Sequence, residues 1–398
     1  MESIKDKVAI IGMGCTQFGE LWDKSPQDLI IDACYEAFED AGIEPKDIQA
    51  AWIGTRYSGA TAITLSYPLK LQYIPVTRVE NLCATGTEAI RAAAYAVIAG
   101  ACDIALAVGM EKLKDTGYGL IPSPLGDSDI SDTGVDPLRM IPPPASFGAQ
   151  GIRYFHHYGL SEEEGKRTIA KIAVKNHHNG SLNPKAQYQR EVTLEQVINA
   201  PIVSWPLGLL DCCGVSDGAA AAIVTRADMA KNFRDDPVYI KSFAISVGAR
   251  QATLRQDYDF VHFEENVRAA KTAYAEVGIK DPFKELDLGI VHDCFTITEL
   301  LIYEDLGWCP RGGAKEYIDS GAFELGGELP VNTDGGLKCF GHPLGASGLR
   351  MIYEVYKQVQ GKAGPRQVPN ARLGLTHNLA SLVGQNVASI AILGSEVG

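Results

Sequence analysis

"AYAEVGIKDPFKELDLGIVHD", residues 273–293, runs from a helical stretch through a Val-Gly-Ile turn and a charged spacer into an apolar strand. "AFEDAGIEPKDIQAAWIGT", residues 37–55, has the same order: helix, Ala-Gly-Ile turn, charged spacer, strand. Working outward, VYIKSFAISVG (238–248) matches KVAIIGMG (7–14) as an opening strand. The helix opened by CATGTEAI, from Cys83, has a counterpart in HPLGASGLRMIYEVYKQVQG (342–361). Internal similarity on this scale reads as a duplicated α/β unit. Short buried strands alternating with helices predict a mostly parallel, covered sheet.

Within the first unit, SPQDLIIDACYEAFEDAG (25–42) is an amphipathic helix with Ser25 as N-cap, Pro26 in its first turn and Gly42 past its end. The rhythm lapses from about residue 115 to 205, where the Pro/Gly/Asp stretch IPSPLGDSDISDTGVDPLRMIPPP precedes helical EEEGKRTIAKIAVKN. Long irregular segments in compact proteins are usually functional. This one reads as an inserted loop domain over a substrate, or as a surface excursion. Its aromatic residues Tyr118, Phe147, Tyr154, Phe155 and Tyr158 line a pocket or fill a core. The chain therefore divides into an N-terminal half (1–114), a loop domain (115–205), the end of the first half (206–233) and a C-terminal half (234–398).

Composition narrows the function classes. With 398 residues, 46% hydrophobic and 21% charged, the chain is an ordinary globular protein. A net charge of −13 argues against nucleic acid or an anionic membrane as partner. No run is long and apolar enough to span a bilayer. The N-terminus lacks a signal-peptide layout, and LGSEVG at the end is not a peroxisomal address. Nine cysteines without repeated CxxC pairs point to reduced thiols and a cytoplasmic location. Gly12-Met13-Gly14 is too short for a dinucleotide fingerprint, and no P-loop is present.

The chemistry gathers at two helix mouths. Cys83 precedes a helix whose free N–H groups and partial positive charge favour a thiolate and can hold an oxyanion. His342 sits in GGLKCFGHPLGASG, dense in small residues. Each lies three residues before a glycine, Gly86 or Gly345, and a pseudo-two-fold axis brings the mouths together. One half then supplies a nucleophile and the other its base. His292, Asp293 and Cys294 follow the apolar run LGIV at a strand end, where α/β proteins place their chemistry. His-x-Cys lacks a matching second ligand pair, so no metal is expected. His377 and Asn378 end a further strand, LGLTH. His156, His157, His177 and His178 read as loop histidines.

These motifs resemble the thiolase superfamily over essentially the whole chain. CATG at Cys83 resembles the nucleophile motif, and GHPLGASG at His342 the thiolase histidine motif. HDCF (292–295) stands where ordinary thiolases carry NEAF. This is similar to the branch of sterol-carrier-protein-X-type thiolases and archaeal-type acetyl-CoA acetyltransferases. The resemblance implies the thiolase fold: two βαβαβαββ halves in five α-β-α-β-α layers, as a homodimer. It implies CoA as a substrate with no bound cofactor, and a small partner combining a zinc ribbon and an OB-fold. The reaction implied is thiolytic cleavage of a 3-oxoacyl-CoA, or the reverse Claisen condensation, through a Cys83 acyl-enzyme. A bulky, branched or aromatic acyl chain in a degradation pathway is the preferred substrate. An acetoacetyl-CoA-forming acetyltransferase, a retro-aldolase and a non-catalytic lipid- or acyl-CoA-binding scaffold are the alternatives.

His342 is then the base, with His292 beside it as oxyanion donor. Gly345, His377, Asn378 and Ala380 are the further oxyanion or substrate-binding candidates. The C-terminal CxG cysteine of ordinary thiolases is missing: the corresponding stretch is HNLAS (377–381), with alanine where the branch often has glycine. Cys294 is the expected replacement for proton relay, sharing a face with His292 if the strand continues. His377 and Cys339 are its competitors.

Overall fold

The computed structural model describes residues 3–116, 142–380 and 383–398. Tyr118 and most of the Pro/Gly/Asp stretch lie outside them. Eleven strands are described: β1 (Val8–Cys15), β2 (Ala50–Gly54), β3 (Val76–Val79), β4 (Ile104–Lys112), β5 (Ile202–Ser204), β6 (Leu207–Gly208), β7 (Asp217–Arg226), β8 (Val238–Val247), β9 (Leu288–Ile290), β10 (Leu373–Ala380) and β11 (Val387–Gly394). Nine form one sheet in the order β3-β2-β4-β7-β1-β8-β11-β10-β9, and β5–β6 is a separate hairpin.

The duplication is visible in that order. Outward from the centre the first half runs β1, β7, β4, β2, β3, and the second runs β8, β11, β10, β9. A parallel bridge from Gly289 to Val331 marks the place of the missing edge strand. The halves meet where β1 pairs antiparallel with β8, through Ala9–Tyr239 and Ile10–Val238. The compared stretches fall on matching elements. Helix Pro26–Ala41 ends at Gly42 (φ 68°), and helix Glu264–Val277 at Gly278 (φ 96°). Both glycines take the left-handed conformation that closes a helix at low steric cost.

The expectation of a mostly parallel sheet is corrected. β7 runs antiparallel to both β1 and β4, and β11 to both β8 and β10. Only β2–β3, β2–β4 and β9–β10 pair in parallel. In each half the last strand returns between its neighbours from the opposite end, which helix-by-helix alternation does not reveal.

Alternation along β7 explains the layers. Ala219, Ala221 and Ile223 join an outer core with Leu29, Ile30, Ala33 and Ala37 of helix Pro26–Ala41. Ala220, Ala222 and Val224 face an inner core with Ala89, Ile90, Ala93, Leu349 and Ile352. Helices Thr85–Ile98 and Leu344–Val359 make the central layer between the half-sheets, and Glu264–Val277 covers the outside of the second. The result is five layers, α-β-α-β-α. Each large aliphatic side chain fully buried there contributes about 1.5–3 kcal/mol.

Helix Pro26–Ala41 begins as read: Ser25 accepts from Asp28 N–H at 3.2 Å, and Asp28 accepts from Ser25 N–H at 2.9 Å. The excursion after β4 contributes helices Pro143–Tyr158, Glu162–Ser181 and Leu194–Ile198. Phe147, Tyr154 and Phe155 are buried in the core rather than lining an open pocket. Phe147 lies 5.0 Å from the Phe295 ring, and the Tyr154 hydroxyl donates to Glu304. No helix among the described residues is long and apolar enough to cross a membrane.

Candidate active site

Cys83 ends a tight turn after β3. Its neighbour Leu82 is held at φ 51°, a left-handed conformation that costs energy for a residue with a Cβ. Thr85 fastens this turn: its hydroxyl donates to Leu82 O at 2.5 Å and accepts from Asn81 N–H at 2.8 Å. Leu82 N–H is taken by Glu80 at 2.7 Å. The turn delivers Cys83, half-buried, to the mouth of helix Thr85–Ile98.

The second helix mouth meets the first because both helices carry glycine where they cross. A Cβ on Gly86 would lie 2.8 Å from Gly345 O, and one on Gly345 only 2.5 Å from Gly54 O and 2.7 Å from Met110 O. This close approach sets His342 beside Cys83. His292 comes from the loop after β9. One ligand-type atom each from Cys83, His292 and His342 lies within 4.8 Å of the other two. The two imidazoles meet edge to face, their centroids 5.1 Å apart.

Hydrogen bonding sets the tautomer of His342. Ser347 Oγ donates to Pro343 O at 2.9 Å, so it accepts from His342 Nδ1 at 2.7 Å. Nδ1 carries the proton and Nε2 keeps its lone pair, as a base requires. Burial, helped by the Arg350 charge, lowers the His342 pKa to about 3. His292 is lowered well below its ordinary value, by burial first and then by His342, His377 and Arg350. Both rings are neutral. Burial also pushes the Cys83 thiol up to about 12, against a smaller lowering by Arg56. The helix mouth, with Arg56, works in the opposite direction, toward the thiolate. Both shifts favour the neutral thiol–imidazole pair over the thiolate–imidazolium one.

Asp293 ties the two histidine loops together. It accepts from Leu337 N–H at 2.5 Å, Lys338 N–H at 3.2 Å and Asn176 Nδ2 at 2.8 Å. Gly336 leaves room for it, since a Cβ there would lie 2.2 Å from the carboxylate. Burial and nearby Glu299 raise the Asp293 pKa to about 8.

Comparison with known proteins identifies the family. Residues 8–228 match the family described as "Thiolase, N-terminal domain". Residues 246–395 match "Thiolase C-terminal domain-like". The chain belongs to the thiolase family. Acetyl-CoA acetyltransferase of Methanothermobacter thermautotrophicus is 39% identical over 383 residues, covering 95% of this chain and 97% of its own. Sterol carrier protein 2 of Gallus gallus is 32% identical over 402 residues, covering 98% of this chain and 72% of its own. Among solved structures, the Ltp2-ChsH2(DUF35) aldolase superposes with a TM-score of 0.84 at 26% identity, covering 99% of each chain. The resemblance in CATG, HDCF and GHPLGASG is thus a family membership, and the enzyme is a thiolase, an acyltransferase.

Against this thiolase frame the other candidate residues separate. Cys294 is buried beside the triad. Its thiol contacts Thr298 Oγ1 at 3.8 Å, and burial with the nearby Cys213 and Cys83 raises its pKa well above the usual thiol range. The continuing strand expected there is corrected: β9 stops at Ile290, and a loop carries Val291–Cys294. His377 and Asn378 alternate across β10. His377 turns to helix Glu264–Val277, with Nε2 2.9 Å from Asn266 Oδ1. Asn378 turns to the nucleophile helix, where Thr87 Oγ1 donates to its Oδ1 at 3.2 Å. The buried Asn378 Nδ2 has no partner among the described residues.

Ala380 packs with Ala84 and Cys83, but its N–H is donated to Asn386 Oδ1 at 2.8 Å and is not free for an oxyanion. At Gly345 the helix crossing fills the place of a Cβ, and the residue lies in the first turn of helix Leu344–Val359. Cys339 lies against Gly180 instead. The sequence reading missed Cys213, whose N–H donates to Cys294 O at 2.9 Å and whose thiol is raised by burial first, with neighbouring Cys212 and Asp293 adding to it. The doubled cysteine in LLDCCGVSDG was the available signal.

Proposed function

We propose that this thiolase cleaves a 3-oxoacyl-CoA through a Cys83 acyl-enzyme, with the roles divided as follows. His342 Nε2 takes the Cys83 proton as sulfur attacks the keto carbon. Asn378 Nδ2 and the Cys83 N–H hold the oxyanion of the tetrahedral intermediate. The Cα–Cβ bond breaks, the acyl group stays on Cys83, and the acetyl-CoA enolate is held at its thioester oxygen by N–H donors of His292 and His342. Cys294, kept as S–H by burial, gives the α-carbon its proton. The thiol of CoA gives its proton to the Cys294 thiolate and takes the acyl group, the displaced Cys83 sulfur recovers its proton from His342, and the reverse order is a Claisen condensation. The observation that carries this reading is the convergence of Cys83, His292 and His342 within 4.8 Å. His377 is a poor relay because it faces Asn266.

A bulky, branched or aromatic acyl chain is our preferred substrate. The likeness to sterol carrier protein 2, whose name refers to a bulky ligand, supports it. The name of the archaeal relative supports acetoacetyl-CoA instead, and a substrate panel decides between them. A second chain is expected, the zinc-ribbon/OB partner, supported by the two-component Ltp2-ChsH2(DUF35) relative. The homodimer is expected across the β3 edge, where Tyr67 and Tyr73 are exposed. Nine unpaired thiols fit a cytoplasmic setting. The division at residues 114, 205 and 233 stays part of this proposal.

The test follows 3-oxoacyl-CoA absorbance as CoA and enzyme are added, with the partner supplied. CoA-dependent loss is expected. Cleavage that needs no CoA favours a retro-aldolase, in line with the aldolase named for the Ltp2 relative. No cleavage of any 3-oxoacyl-CoA overturns the proposal.

A further inference from the structure

We propose that the Cys83–His292–His342 triad is also a binding site for a soft divalent cation, Zn²⁺ foremost, which switches the enzyme off reversibly. One sulfur and two imidazole nitrogens within 4.8 Å of one another form the donor set that zinc prefers. With Zn–N about 2.0–2.1 Å and Zn–S about 2.3 Å, tetrahedral ligand atoms sit roughly 3.3–3.7 Å apart. The triad therefore needs to contract by up to about 1.1–1.5 Å, which side-chain rotations supply.

Three further observations support a ligand here. His292 Nδ1 is buried with no partner among the described residues. His342 is held through its other nitrogen by the Ser347 hydroxyl, the outer-shell support that metal-bound histidines receive. The His292 and His342 rings meet edge to face with centroids 5.1 Å apart, close enough to share one ion with Cys83. The nearby Arg350 guanidinium, which opposes a cation, is paired with Asp334.

Only the thiol changes protonation. Cys83 S–H loses its proton to solvent as the S–Zn bond forms, and no electron is transferred. The metal occupies nucleophile and base together, so acylation and metal binding exclude each other.

The test uses purified enzyme stripped with EDTA and titrated with Cd²⁺ as a spectroscopic probe and Zn²⁺ in calorimetry. One thiolate–Cd²⁺ absorption per chain is expected, lost in Cys83→Ser. Zinc should protect Cys83 from iodoacetamide, and EDTA should restore labelling. Ser347→Ala, which frees the His342 ring, should weaken Zn²⁺ about 10–100-fold. An undiminished Cd²⁺ band in Cys83→Ser overturns the proposal. So does zinc binding to the wild-type enzyme that leaves Cys83 labelling unchanged. None of these readouts needs turnover, so they stand apart from the thiolysis test.

Discussion

Gly345→Ala probes the helix crossing that joins the two catalytic loops. The added Cβ would meet backbone on two strands, at 2.5 Å from Gly54 O and 2.7 Å from Met110 O. Backbone cannot swing aside as a side-chain tip can. Restoring an ordinary contact of 3.4 Å moves the helix away from β2 and β4 by about 0.9 Å. His342 lies three residues earlier and moves with it, away from Cys83. A misplacement near 1 Å costs on the order of 100-fold in rate. Overpacking costs about 1–3 kcal/mol of stability. We expect kcat for thiolysis to fall roughly 100-fold, KM to change little, and Tm to drop in calorimetry. Gly86→Ala should do the same from the other helix. If Gly345 were a binding residue, KM would rise with Tm unchanged. Wild-type kcat and Tm in Gly345→Ala would refute the crossing argument.

Three other outcomes follow from the site. Because burial holds the Cys83 thiol near pKa 12, iodoacetamide labelling should rise about tenfold per pH unit through pH 7–10; a plateau near pH 7 would mean a resting thiolate–imidazolium pair. Cys294→Ala should abolish turnover and solvent-deuterium exchange of the α-protons of acetyl-CoA, while Cys83 is still acylated by an activated thioester; exchange that survives here but vanishes in His377→Ala would move the relay to His377. Burial and Glu299 raise Asp293 above its open-chain value, so it binds its proton more tightly when folded, and its contribution, full at low pH, is lost as pH rises through the folded value. Calorimetric Tm of Asp293→Asn should therefore vary less with pH between 5 and 8 than that of the wild type, and an unchanged slope would remove Asp293 as the cause.

The duplicated unit was legible because matched helix–turn–strand stretches recur, and they fall on matching elements around the β1–β8 junction. That junction was not, since two short antiparallel pairs leave no periodic trace. Cys83 and His342 were legible as partners through the glycine three residues after each, although the reason for those glycines is packing. His377 and Asn378 could not be ranked without a register. Once β10 is placed, alternation sends one to Asn266 and the other to Thr87. Cys213 meets Cys294 through a contact distant in sequence, which no local pattern encodes. The desolvation that raises the Cys83 thiol was not legible, because burial is a tertiary quantity.

The central claim is that Cys83 carries the acyl group, and the most direct measurement is the location of that group. The enzyme is mixed with a 3-oxoacyl-CoA without free CoA, quenched in acid, digested and read by tandem mass spectrometry. The account predicts one acyl thioester, on the peptide containing Cys83, discharged when CoA is added before the quench. An acyl group on Cys294, Cys213 or any other residue, or CoA-dependent turnover with Cys83 never acylated, would contradict it.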